Sequence, residues 1–124
     1  MNLLALETAT DRCSVALALG ARVCARVDDR PRVHARRVLG MVAECLAEGG
    51  IAAREVDAYA FGRGPGSFTG VRIAAGVVQG LAFGTGRPVV PVSTLAAHAV
   101  AARRLHGAGR VAVCVDARMG ECYW

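Results

Sequence analysis

"FGRGPGSFTGVRIAAGVVQGLAFG", residues 61–84, leaves a strand end, crosses a loop holding Gly62, Gly64, Pro65, Gly66 and Gly70, and becomes a long apolar segment. Strand, glycine loop and helix in that order form the building unit of an α/β sheet. Bare backbone at a helix start also lets an anion rest on amide groups and the positive end of the helix dipole. Two readings stand open: a structural turn with Ser67 or Thr69 capping the helix, and a phosphate contact involving Gly64, Gly66 and Ser67. A Walker A loop requires a lysine after its second glycine, and the chain contains no lysine. A nucleophile elbow requires glycine two residues either side of Ser67, where Pro65 and Thr69 stand.

The helix that follows, 70–84, is apolar almost all round. Arg72 and Gln79 are its only large polar side chains, and Gly76, Gly80 and Gly84 recur at every fourth position. Each such glycine costs about 1 kcal/mol of helix propensity relative to alanine and leaves a groove that another helix can enter. A helix without a wet face predicts one side on the sheet and another on a partner subunit.

Upstream, residues 2–7, 13–19 and 22–27 are short apolar runs joined by tight connections, which predicts an antiparallel three-stranded meander. Asp28, Asp29 and Pro31 offer a helix start, and Val38, Met41, Val42, Cys45 and Leu46 fall on one helical face before Gly49-Gly50. Residues 57–62 and 87–92 read as further strands. Ser93 can cap a third helix that ends at Gly107 with Arg103 and Arg104 in its last turn, and 110–116 reads as a strand. The order β-β-β-α-β-α-β-α-β predicts an α/β fold with a mixed sheet. Residues 117–120 read as a turn into one more strand. The expected organisation is one lobe over 1–116, with 117–124 beginning a second lobe that is missing.

At 124 residues and 54% hydrophobic content the chain can bury a core without staples. All fifteen basic residues are arginine and the net charge is +5, yet the arginines are scattered and no aromatic residues are interleaved to stack bases. The five cysteines form no C-x-x-C pair, which predicts buried thiols in a reducing compartment. The first residues lack a basic start and a long apolar run, so neither a secretory leader nor a membrane span is expected. Glu7, Asp11 and Asp116 stand at strand ends or turns, where they can hold a magnesium ion with phosphates or bond nearby amides. His34, His98 and His106 lack zinc-site spacing.

The segments LALETATDRCSVAL, AFGRGPGSFTGVRIAAGVVQGLA, PVVPVSTL and VDARMGECYW together resemble the N-terminal lobe of the TsaB (YeaZ) family. The resemblance covers nearly the whole chain and implies an actin-like, RNase H-like (ASKHA) lobe. It implies a non-catalytic cytoplasmic subunit of the machinery that places threonylcarbamoyl on N6 of the adenosine 3′ of the tRNA anticodon. Its implied partners are the catalytic paralogue TsaD and the ATPase TsaE, with tRNA reached through the complex and a homodimer formed in isolation. ATP and magnesium are implied for the assembled complex and none for this chain alone. Helices 33–48 and 70–84 match those that pack against the partner, so Val38, Met41, Val42, Cys45, Ile73, Ala74, Gly76, Val77, Val78, Gly80 and Leu81 are the expected interface set. The paralogue's metal-binding H-x-x-x-H falls on Thr94 and His98, so one ligand is absent and no metal site is expected. Glu7, Thr8, Asp11, Gly64, Gly66 and Ser67 form the candidate nucleotide loop, although Glu7 replaces the usual aspartate and Thr8-Ala9-Thr10 lacks the usual glycine. The rival readings are an actin-like ATPase using Glu7 or Asp11, a peptidase, and a tRNA binder acting through its arginines.

Overall fold

A computed structural model describes residues 1–124. Three strands, β1 (Asn2–Glu7), β2 (Cys13–Leu19) and β3 (Arg22–Asp28), form the expected meander. β4 (Ala58–Gly62) then pairs parallel with β1, and β5 (Val89–Val92) pairs parallel with β4, giving the sheet order β3-β2-β1-β4-β5. The helices are α1 (His34–Gly49), α2 (Phe68–Thr85) and α3 (Thr94–His106).

Alternation along the strands sets the two faces of the sheet. Leu4, Leu6, Cys13, Val15, Leu17, Cys24 and Tyr59 point to one face and are buried under α1 and α2. Both helices deliver a stripe of period 3.6 to that core, α1 with Val38, Met41, Val42 and Cys45 and α2 with Ala74, Val78 and Ala82. Small side chains on α2 bring its axis close to β4. Ion pairs tie α1 to β3: Arg26 reaches Glu44 and Glu48, and Asp28 holds Arg30 and Arg37. Hydrogen bonds from Arg30, with help from Arg37, hold the Asp28 carboxyl far below the usual carboxylate range.

Two expectations are corrected. Asp28 and Asp29 do not start α1. Asp28 ends β3 and spends its carboxylate on arginines, and α1 begins after Val33 with no side-chain cap. The strand predicted at 110–116 is displaced to β6 (Val115–Arg118), outside the main sheet, where it pairs antiparallel with β7 (Glu121–Tyr123). A hairpin closed by a two-residue turn needs almost no loop closure, whereas joining the main sheet requires a distant partner. The C-caps Gly50, Gly86 and Gly107 all adopt positive φ, as helix ends favour, and Ser93 caps α3 by accepting from the Ala96 amide.

Candidate functional site

The glycine loop answers its question through what it touches. β1 ends at Glu7, and the next two residues are clasped from two sides. The Thr8 hydroxyl donates to the Gly70 carbonyl at 2.6 Å, and the Ser67 amide donates to the Ala9 carbonyl at 2.7 Å. A Cβ at Gly70 would land on the Thr8 carbonyl oxygen, and one at Gly66 would collide with the Ala9 backbone. A Cβ at Gly62 would fall on the Glu7 carboxylate. Gly62, Gly66 and Gly70 are glycines because the end of β1 lies against them. Ser67 caps α2 by accepting from the Gly70 amide at 3.2 Å, as one reading of the sequence expected.

Glu7 is occupied. Its Oε1 accepts the Ala9 amide at 2.7 Å, and its Oε2 accepts the hydroxyl of the fully buried Thr94 at 2.9 Å. The Thr94 amide in turn donates to the Gly64 carbonyl at 2.9 Å. The carboxylate thus pins the start of α3 to the ends of β1 and β4, at a net value of about 1.5–3 kcal/mol for a bond to a charged group.

Beside this clasp lies a polar cavity of about 520 Å³, lined among others by Thr10, Asp11, Ser67, Thr69, Asp116 and Arg118. An adjoining space of about 360 Å³ reaches Arg32 and His34. The buried His34 ring donates from Nε2 to the Thr10 carbonyl at 2.9 Å. Asp11 is exposed and makes no hydrogen bond, so the turn bonding read into it belongs to Thr10 and Glu7 instead. Asp116 accepts from the Arg118 amide within its own turn. Nowhere do three His, Cys, Asp or Glu side chains gather around one point. His98 is exposed on α3, one turn beyond the buried Thr94. Of the three carboxylates, Glu7 is bonded within the chain, and Asp11 and Asp116 both line the cavity.

The second candidate site is the layer of α1 and α2 away from the sheet. The expected interface set divides here. Val38, Met41, Val42, Cys45, Ala74 and Val78 lie in the core, and Ile73, Val77 and Leu81 are half-buried against it. Gly76 and Gly80 are exposed, with nothing near the position of a Cβ. They share their outward side with Gly84 and with Phe83, which is 93% exposed. On α1 the exposed residues are Ala35, Arg36, Leu39, Gly40, Ala43, Ala47 and Glu48, most of them small or apolar. Small residues on two adjacent helices make a surface that other helices can approach closely. Sequence reading missed Ala43, Ala47 and Phe83, although the four-residue spacing of Leu39, Ala43 and Ala47 was there to be read.

Comparison with known proteins now bears on both sites. The family model described as "TsaD: tRNA N6-adenosine threonylcarbamoyltransferase" matches residues 29–124. The "tRNA threonylcarbamoyladenosine biosynthesis protein TsaB" of Haemophilus influenzae is 51% identical over 124 residues, covering 100% of this chain and 52% of its own length. The chain belongs to the TsaB family. A solved structure, "YeaZ from Pseudomonas aeruginosa", superposes with TM-score 0.96 at 58% identity, over 99% of this chain and 58% of that one. The Thermus thermophilus RuvC structure, 19% identical with TM-score 0.52, covers 90% of this chain and shares the fold alone. The fold is therefore the actin-like, RNase H-like lobe. The chain spans about half the length of the TsaB relatives it matches.

Proposed function

We propose that this chain is the docking half of a non-catalytic subunit that serves threonylcarbamoyl transfer to N6 of the tRNA adenosine, acting through contact with the catalytic paralogue TsaD. The observation that carries the reading is the outward layer of α1 and α2. Its exposed residues include Leu39, Gly40, Ala43 and Ala47 of α1 and Gly76, Gly80, Gly84 and the projecting Phe83 of α2, together with the polar Arg36, Glu48, Arg72 and Gln79. Such a layer suits a helix pair of the same kind, so a four-helix contact forms with TsaD or, without it, with a second copy. The strand-end clasp supports the non-catalytic part, because the carboxylate best placed for chemistry is used to hold α3. ATP and magnesium belong in this reading to the assembled complex with TsaE, tRNA is reached through that complex, and the setting is the cytoplasm. No helix is long and apolar enough to cross a membrane.

The test is the molar mass by light scattering of the chain with TsaD, comparing the native sequence with Gly76→Arg and Ala43→Arg. Both side chains would project from the outward layer without entering the core, so folding persists while a one-to-one complex is lost. Unchanged complex formation by both variants would remove this layer as the docking site.

A further inference from the structure

Charge is divided unevenly along this chain. From Ala58 to Val115, which spans β4, α2, β5 and α3, there are six arginines and no acidic residue, whereas the remaining residues hold nine arginines and ten carboxylates. Every ion pair of the chain lies before Ala58, formed by Arg12, Arg26, Arg30 and Arg37. The division reaches the outward layer of α1 and α2. Arg36, Gly40, Ala43 and Ala47 are exposed at i, i+4, i+7 and i+11 of α1, and Arg72, Gly76, Gln79 and Phe83 repeat that spacing on α2. Each stripe is uncharged along its run and headed by an arginine. Both arginines stand at the same end of the layer. Strands β1, β3 and β4 run in one direction, α1 follows β3, and α2 follows β4. The starts of both helices touch the turn after β1, His34 at the Thr10 carbonyl and Gly70 at the Thr8 hydroxyl.

A cation near a helix start opposes the helix dipole, and neither α1 nor α2 has an acidic residue in its first turn to offset it. Arg36 forms no ion pair, and neither does Asp11, which is exposed in the turn beside the two helix starts. Arg72 reaches only the Phe68 carbonyl at 3.2 Å and lies over the Phe68 ring, 3.4 Å from its centroid, so its charge is unmatched. Glu44 and Glu48, the carboxylates of α1, are already held by Arg26 and Arg37. Resting on the docking role proposed above, we infer that the partner seated on this layer is acidic where it covers that end. It brings carboxylates opposite Arg36 and Arg72, and these two residues select it over a second copy of this chain, whose own layer offers no carboxylate that is not already paired. Complementarity of this kind acts on encounter and on choice of partner, while the uncharged stripes supply the close contact.

The experiment measures the dissociation constant of the chain with TsaD by titration calorimetry, and its self-association by sedimentation equilibrium. The native chain is compared with Gly76→Arg and with two double variants, Arg36→Gln with Arg72→Gln and Arg36→Glu with Arg72→Glu. All these positions are exposed, and circular dichroism melts confirm each fold. Glutamate at a helix start suits the dipole, so weaker binding by that variant is not a loss of fold. Towards TsaD, the glutamine variant is expected to bind about tenfold weaker or more, and the glutamate variant weaker again by a similar factor. Raising salt from about 50 to about 500 mM should weaken the native complex and leave that of the glutamine variant nearly unchanged. Self-association of the glutamine variant should be no weaker than that of the native chain. A native complex that Gly76→Arg abolishes, but that the glutamine variant and salt leave within about twofold, overturns this inference and leaves the docking role standing. Self-association weakened as much as TsaD binding also overturns it, because the arginines would then serve a second copy. Absence of any native complex with TsaD removes the docking role and this inference with it.

Discussion

Alanine in place of glycine has opposite effects at two positions of the same helix. At Gly76 the added Cβ meets nothing within 4 Å, so only helix propensity changes, and Gly76→Ala stabilises by about 0.5–1 kcal/mol. At Gly70 the same gain is outweighed. The Cβ would land on the Thr8 carbonyl, a backbone atom held in the strand-end clasp, so α2 must move away from β1. Overpacking of that kind costs about 1–3 kcal/mol. Losing the buried bond from the Thr8 hydroxyl to the Gly70 carbonyl adds about 1–2 kcal/mol. Net destabilisation is about 2–3 kcal/mol. With about 4 °C of Tm per kcal/mol for a domain of this size, Gly76→Ala should raise Tm by about 2–4 °C and Gly70→Ala should lower it by about 8–12 °C. Circular dichroism melts of the three proteins, with urea midpoints as a check, measure both shifts. If the two substitutions move Tm in the same direction, the assignment of the opening glycines to close approach and of the later ones to an open surface is refuted.

Thr94→Val keeps the shape of the side chain and removes its bond to Glu7, so Tm should fall by about 6–12 °C, with the loss of amide protection concentrated in α3; a shift under about 2 °C would mean that Glu7 does not anchor that helix. The Asp28 carboxyl is held far below its unfolded value by Arg30 and Arg37, so its contribution is complete above about pH 4 and fades as the pH falls through the folded value. Asp28→Asn should therefore melt below the native chain at pH 7, and the gap should narrow from pH 5 to pH 2; a gap independent of pH would contradict the ion pairing. Cys13, Cys24 and Cys45 are buried while Cys114 and Cys122 are exposed, and burial pushes the Cys13 and Cys45 thiols up. A thiol-reactive dye should label two cysteines in native buffer and all five in denaturant, and rapid native labelling of a third would show the core to be open.

Much of the fold was legible because its signals are local. The strand runs at 2–7 and 13–19 match the structure residue for residue, and Ser67, Ser93 and the glycine C-caps mark helix ends through bonds spanning only a few residues. Reading failed where a partner had to be chosen from afar. Residues 110–116 have the composition of a strand, but only Val115 and Asp116 of them pair, with the nearby β7 rather than with the sheet. Exposure of Cys114 and Cys122 follows from the same choice, since both lie in or beside that hairpin and outside the core.

The sequence by itself determined the order of elements, the family and the existence of a helix with no wet face, because periodicity, capping and motif spacing are properties of neighbouring residues. Tertiary structure alone decided which side of that helix is spent. Ala74, Val78 and Ala82 went to the core, and Gly76 and Gly80 stayed outside. It also turned Glu7 from a candidate metal ligand into an anchor for Thr94, a residue 87 positions away. A helical wheel is apolar on both sides here, and a carboxylate at a strand end is free until something folds onto it. Only the packing of the chain on itself distinguishes a side spent on the core from one left exposed.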